Sequence, residues 1–321
     1  MKQHAILLAD YLYDLRRFAR HSAFGKDPER EARHLQARLM IAAHGIEKGL
    51  SFARFEPRRG LGKLRNALAH MRRHRALGLP EDDAAYLMAR DAIVHYRRKH
   101  AEQGVDIADL FEGEEHLFEM EGEAASSIRT LERGSLTDAE REALRKGMLS
   151  RASIREFGDE PMTAEQVRAV VTDALSTPSV CNRQGFRAHY TLDRAVIDAA
   201  LAHQNGNSGF GARVPGLLVV TCTQTIFRTP AERNQAFVDG GLFSMSLMLA
   251  LTAHELGGCP LNWSASHRQD MALRGAVSIP EDEAIIMMIA FGPLPDVALA
   301  AGSRRYDLDT YLSELTRRER G

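Results

Sequence analysis

The chain has 321 residues, 44% hydrophobic and 26% charged, with a formal net charge of −1. This is an ordinary soluble, globular composition, long enough for two domains, and its charge gives no global reason to expect nucleic acid or an acidic membrane as partner. Three cysteines, Cys181, Cys222 and Cys259, stand far apart in no CxxC or Cys/His cluster, so neither a disulfide framework nor a metal site is expected and a reduced, cytoplasmic setting fits.

Along the chain, Ile6, Leu7, Tyr11, Leu15 and Phe18 recur at helical spacing and predict an amphipathic helix. Asp10 and Asp14 interrupt its apolar run, so it does not read as a signal peptide. A second helix is expected from about Pro28 to His44, and a third after Pro80, with Asp82 and Asp83 at its positive end. Between them, GLSFARFEPRRGLGKL reads as a loop. In HGIEKGLSF, His44 stands one turn before Lys48 and Gly49 is expected to stop the helix. That string and the following arginines read either as a site for an anionic substrate, or a cover over a bound ligand, or as a helix end with an internal ion pair and a solvated arginine face. His70 and His74 in HMRRH have metal-compatible spacing, but the intervening arginines favour a solvated face.

Charge shifts sharply along the sequence. Residues 1–105 hold 21 Lys and Arg against 12 Asp and Glu, whereas 106–125 hold eight acids and no Lys or Arg. This places a boundary between about 120 and 136, giving an all-helical N-terminal domain over 1–130 and a second domain over 131–321. In the second, Thr137 with Glu140, Thr163 with Gln166, and Ser266 with Gln269 form capping boxes. Thr229–Pro230 opens a helix expected to run to about Leu256 and stop at Gly257. Its apolar stretch, Gly241–Ala253, is too short to span a bilayer. Strands are expected at Ala188–Leu192, Leu217–Cys222 and Ala284–Phe291, the last apolar on both faces and therefore central. Few strands among many helices imply an α+β layer.

The chemistry-bearing stretch is SRASIREF. In an extended segment Arg151, Ser153 and Arg155 share one face and can reach one anion; the alternative is a solvated basic edge. TPSVCNRQGF follows, offering Pro178, Ser179, Asn182 and Gln184, and GSRRYDL later adds Arg304 and Arg305. Guanidinium groups on separate elements can converge on a phosphate. No GxGxxG follows a strand and no Walker-type loop is present, so a Rossmann nucleotide site is not supported.

Arg-x-Ser-x-Arg-x-Phe followed by Pro-Ser-x-x-Asn-x-Gln, then AHELGGCPLNW and IAFGP before a basic pair, resembles the nitroreductase family of FMN enzymes over about residues 145–321. The resemblance implies a nitroreductase-like α+β fold, a central sheet flanked by helices, working as an intertwined homodimer with two FMN sites at the subunit interface. It implies that Arg151 and Ser153, with Arg304 or Arg305, hold the FMN phosphate, and that Arg155 stands near the flavin pyrimidine. Ser179 and Asn182 then approach from the partner subunit, with Gln184 beside them and Pro178 fixing the loop backbone, and the backbone of Pro260, Leu261 and Asn262 faces the reactive flavin nitrogen. No catalytic side chain is expected, since the flavin carries hydride from NAD(P)H to a small organic acceptor. Gly185 and Phe186 depart from a common Pro-Trp, Ala152 from a common basic residue and Asn262 from a common acid. HGIEKGLSF further resembles a string in nitroreductase-like proteins associated with bacterial polysaccharide synthesis. The contrasting readings are a scaffold that binds a partner, with or without flavin, and flavin chemistry without NAD(P)H.

Overall fold

A computed structural model describes residues 2–23, 31–120, 124–125 and 127–318. Four helices come first: α1 (Lys2–His21), α2 (Glu31–Leu50), α3 (Leu61–Ala76) and α4 (Ala84–Glu102). The predicted start of the second helix at Pro28 lies outside the described residues, as do 121–123 and 126 within the predicted boundary region. Asp83 caps α4, its carboxylate accepting from Ala85 N at 2.9 Å. Gly49 does not stop α2, which ends at Leu50.

Helix α3 occupies residues expected to form a loop and a solvated face. Its Leu64, Ala67, Leu68 and Met71 sit in a core with Leu39 and Ile46 of α2 and Tyr86, Ile93 and Tyr96 of α4. His74 is buried as well and lies against the Tyr86 ring, centroids 4.9 Å apart. Burial lowers its pKa, because a cation there would lose its hydration. Among the described residues, no group of three or more His, Cys, Asp or Glu is placed to hold a metal ion.

The remainder comprises α5 (Asp138–Ser150), α6 (Ala164–Ala174), β1 (Phe186–Thr191), α7 (Arg194–Leu201), β2 (Gly216–Thr223), α8 (Gln235–Ala253), β3 (Leu256–Asn262), α9 (His267–Ala276) and β4 (Glu283–Pro293). Capping boxes open α5, α6 and α9 at the three predicted positions. The sheet is antiparallel in the order β1-β2-β4-β3, and β4 is internal, as its two apolar faces require.

Helix α8 ends at Ala253, short of the predicted Leu256, and strand β3 begins at Leu256 and takes in the Gly257 expected to stop the helix. Its Gly257, Gly258 and Pro260 are weak strand formers, and Pro is tolerated because β3 pairs with β4 along one side. The glycines answer a packing need: a Cβ on Gly257 would stand 2.8 Å from Ile154, and one on Gly258 2.9 Å from Leu251. Upstream, a short 3-10 turn at Pro230–Glu232 leads into α8. By length and composition Pro230–Ala253 is apolar enough to cross a membrane, contrary to the shorter reading from sequence, but half of its most apolar window is buried inside the chain.

Phe243, Leu247 and Leu251 of α8 join Leu218, Val220, Ile289 and Phe291 of the sheet in one core. The other face packs on α7 and α9 through Ile197, Leu217, Met288 and Leu273. The helical part meets this sheet through a further cluster, in which Phe18 of α1 and Ala37 of α2 join Ile226, Phe227 and Ala236. Burying a Phe side chain contributes roughly 1.5–3 kcal/mol, so Phe18 and Phe227 are substantial anchors for that contact.

Candidate functional site

The basic segment sits against β3. Helix α5 ends at Ser150, and Arg151 turns the chain into extended backbone. Ile154 points inward and is buried. Its N–H donates to Gly258 O at 2.9 Å, and Ser153 forms a parallel bridge with Gly258. The segment therefore runs beside β3 in the direction of Pro260. Arg151 and Ser153 are half-buried, while Arg155 is exposed and reaches back to Ser153 O at 3.4 Å. Burial raises the Cys259 pKa and the positive charge of Arg155 opposes it, which places that charge beside the strand. Among the described residues, Arg151 has no hydrogen-bond or ion-pair partner.

On β3, Pro260 and Asn262 are exposed whereas Leu261 turns its side chain into the core. Leu261 can thus offer only backbone to a ligand. The Asn262 carbonyl is held by Gln204 Nε2 at 3.0 Å, and its Oδ1 accepts from Ser264 N at 3.0 Å. Gln204 is a buried side chain that sequence reading missed; it lies in the run HQNGNSGFG, His203–Gly211. That run is an ordered turn: Asn207 Nδ2 donates to Leu201 O at 2.6 Å and Gln204 O at 3.1 Å, and Asn205 Oδ1 accepts from Gln269 at 3.4 Å.

The second predicted group, Pro178 to Gln184, forms a tight loop leading into β1. Cys181, Asn182 and Gln184 all have positive φ, at 49°, 52° and 48°. Such backbone costs about 1–3 kcal/mol per non-glycine residue and persists where its surroundings enforce it. Here Gln184 N donates to Ser179 Oγ at 2.9 Å. The buried carboxylate of Asp239, on α8, receives Val180 N at 3.3 Å and Gln235 Nε2 at 2.9 Å. Arg183 is wholly buried and donates to Val180 O at 3.1 Å, to Ile226 O and to the Glu232 carboxylate. Burial would raise the Glu232 pKa, but Arg183 and the Arg228 and Thr229 N–H groups outweigh it and leave the pKa lowered.

Asp239 and Arg183 were not read as site residues; the available signals were one acid in the apolar run QAFVDGGLF and one cation inside CNRQG. The substituted Gly185 is enforced, since a side chain there would collide with Ile226 and Cys222. Phe186 keeps ring packing, stacked on Phe243 at 4.3 Å and 13°. A cleft of about 510 Å³ adjoins the loop, lined by Gln184, Arg183 and Arg187 on one side and Gln36, Met40 and Met88 of the helical part on the other.

Within one chain these groups do not meet. The 151–155 segment lies at the β3 edge of the sheet and the 178–184 loop at its β1 end. With strands about 4.8 Å apart, three spacings separate the two edges by roughly 14 Å. Arg304 and Arg305 stand on an exposed tail. There Arg305 donates only to Ser303 O, at 2.5 Å, and Arg304 has no partner among the described residues. HGIEKGLSF carries an internal pair, His44 Nδ1 to Glu47 Oε2 at 3.5 Å, rather than a contact from His44 to Lys48. Arg59 lies over the Phe52 ring at 4.6 Å.

Residues 148–203 and 188–293 match the model of the Nitroreductase family. Over this stretch the chain is similar to the nitroreductase family. The nitroreductase-like fold is that of the four-stranded antiparallel sheet with its flanking helices, and α1–α4 precede it. Among solved structures, a protein of Desulfovibrio desulfuricans described as a nitroreductase in complex with FMN is 22% identical, covering 55% of this chain and 98% of its own, with a TM-score of 0.46. An FMN-dependent nitroreductase of Clostridium difficile is 16% identical, covering 54% of this chain and 99% of its own, at 0.45. A nitroreductase-like protein of Streptococcus mutans is 13% identical, covering 55% and 100%, at 0.48. No curated protein matches the chain. The family match supports an oxidoreductase of the flavin type.

Proposed function

We propose that the protein is an FMN-dependent oxidoreductase that takes hydride from NAD(P)H and reduces a small organic acceptor, working as a homodimer. The observation that carries this reading is the placement of Arg151, Ser153 and Arg155 along the strand that presents Pro260, Leu261 and Asn262. A phosphate-gripping segment and a backbone edge thus share one border of the sheet.

The residues fit the group. FMN phosphate needs donors that are not already neutralised, and Arg151 and Arg304 have no carboxylate partner among the described residues. Arginine forks match phosphate geometry, and the Ser153 hydroxyl adds a donor. Arg155 supplies a positive charge suited to an electron-rich pyrimidine. The backbone of Pro260, Leu261 and Asn262 offers polar atoms without a reactive side chain, and Gln204 fixes the Asn262 peptide. FMN bound there supplies the hydride chemistry.

The opposite-edge placement of Ser179, Asn182 and Gln184 supports the dimer: two copies brought together antiparallel would set one copy's loop against the other's basic segment. The exposed stripe of Val238, Leu242 and Met245 on α8, at i, i+4 and i+7, is an apolar face such an association would bury. The exposed tail with Arg304 and Arg305 would reach the phosphate only after rearranging or from a second copy. Separate cores support reading 1–130 and 131–321 as two domains. A role in cell-surface polysaccharide formation rests on the resemblance of HGIEKGLSF alone, and unchanged surface polysaccharide after gene deletion would remove it.

Replacing Arg151 and Ser153 together by Ala tests the anchoring model. The variant is expected to lose most of its flavin while remaining dimeric, read from the visible flavin absorption and sedimentation of the same sample. A full flavin complement in that variant would refute the assignment.

A further inference from the structure

Helix α1 has its amphipathic character reversed. Asp10, Tyr13 and Arg17, at i, i+3 and i+7, share the face turned to the nitroreductase-like part. Asp10 Oδ1 accepts from His267 N at 2.9 Å and meets its Nδ1 at 2.6 Å, Tyr13 OH donates to Asp270 Oδ2 at 2.7 Å, and Arg17 donates to Glu281 O at 2.6 Å and Glu283 O at 2.9 Å. The opposite face carries Leu8, Tyr11 and Leu15 at the same spacing, with Leu7 and Leu12 beside them, and these five are 39–67% exposed. Phe18, near the helix end, is buried. Surface helices ordinarily turn the apolar stripe inward and the polar one to water.

The exposed face continues onto α8. Tyr11 and Leu15 of α1 and Phe237 of α8 border one groove, and Phe237 begins the exposed row of Val238, Leu242 and Met245. Contiguous apolar patches of more than a few hundred Å² are uncommon on a monomer and mark association surfaces. A large side chain carries on the order of 200 Å², so the four on α8, about half exposed, offer roughly 400 Å². Each partner of a stable dimer buries roughly 800 Å², which the row on α8 does not supply. Together with the five side chains of α1 the face reaches roughly 900 Å². Charged groups, Asp14 and Arg17 among them, line the groove between the two helices. Lipid tails cannot pair with such groups, whereas a protein surface can.

We propose that the apolar face of α1 is covered by a second copy of this chain, each N-terminal helix clamping the partner subunit along the groove between α1 and α8. This rests on the homodimer reading above and adds to that interface a helix that precedes the nitroreductase-like fold.

The test is sedimentation velocity of the full-length protein over a concentration series, with photo-crosslinking as a second measurement. The wild-type chain is expected to sediment as a dimer. Leu8→Glu/Leu15→Glu leaves the polar contacts of α1 in place, so its circular dichroism should match the wild type while its dimer dissociation constant rises roughly a hundredfold or more. p-Benzoylphenylalanine in place of Tyr11 should give a covalent dimer on illumination, and that result decides alone if the double variant fails to fold. A wild-type dimer with an unchanged dissociation constant in the folded double variant, or with no cross-linked pair, would overturn the α1 contact and leave the homodimer reading standing; a wild-type monomer would sink both. Wild-type protein that pellets with phosphatidylcholine–phosphatidylglycerol vesicles, where the double variant does not, would assign the face to lipid and overturn the proposal as well.

Discussion

At the scale of single residues, Arg183 matters most to the shape of the site while touching no expected ligand. It is fully buried, and three of its donors are spent on Val180 O, Ile226 O and Glu232. Removing one partner of a buried pair strands the other charge, at about 3–5 kcal/mol. Arg183→Ala is therefore expected to lower the urea midpoint strongly and to loosen the loop that carries Asn182 and Gln184. The pair also sets an acid limit. The Glu232 pKa is lowered in the folded chain, so its contribution is fully present above the unfolded value of about 4.3 and is lost as pH falls through the folded value. Urea melts below about pH 4.3 should show that loss in the native chain and a smaller one in Arg183→Ala; identical acid slopes would remove Glu232 from the account.

At the scale of elements, α8 does two jobs. Its inner face, through Phe243, Leu247 and Leu251, packs on the sheet, and its outer stripe of Val238, Leu242 and Met245 remains exposed. Leu242→Glu is expected to leave the helical signal intact, since Leu242 is exposed, but to yield monomers in sedimentation and to lose flavin. A dimeric, flavin-loaded Leu242→Glu protein would mean that this stripe is not the interface. The elements also show where sequence reading works. Local signals placed α5, α6 and α9, because a capping box is written in four adjacent residues, and β2 and β4, because their apolar runs are continuous; β1, which mixes Arg187 and His189 among its apolar residues, starts two residues before the expected Ala188. Helix α3 is hard to read from sequence: its first turn, Leu61–Leu64, closes the Gly- and Arg-rich stretch expected to be a loop, and its buried positions are diluted by Lys63, Arg65, Arg72 and Arg73. Strand β3 is hidden from sequence reading because its glycines, expected only to stop the preceding helix, answer to Ile154 and Leu251, contacts that are distant in sequence or set by packing.

At the scale of the whole molecule, the expected ligand-holding residues were legible as a set of motifs, but their separation was not. Arg151, Ser153 and Arg155 gather beside Pro260, Leu261 and Asn262, while Ser179, Asn182 and Gln184 lie across the sheet, because pairing order rather than motif order decides which loops meet. The buried supports, Gln204, Asp239 and Arg183, were invisible because their roles depend on partners far along the chain. If two copies share each site, a chain with Arg151→Ala/Ser153→Ala and a chain with Ser179→Ala/Asn182→Ala should each lack flavin alone yet regain one loaded site per mixed dimer when produced together. Absence of any recovery in verified mixed dimers would favour a site within one copy. The most direct measurement is the visible absorption spectrum of the purified protein, recorded anaerobically before and after NAD(P)H. Flavin bands that are present at first and bleach on adding the nucleotide are the predicted result; a colourless protein, or a yellow one that neither NADH nor NADPH can bleach, would contradict it.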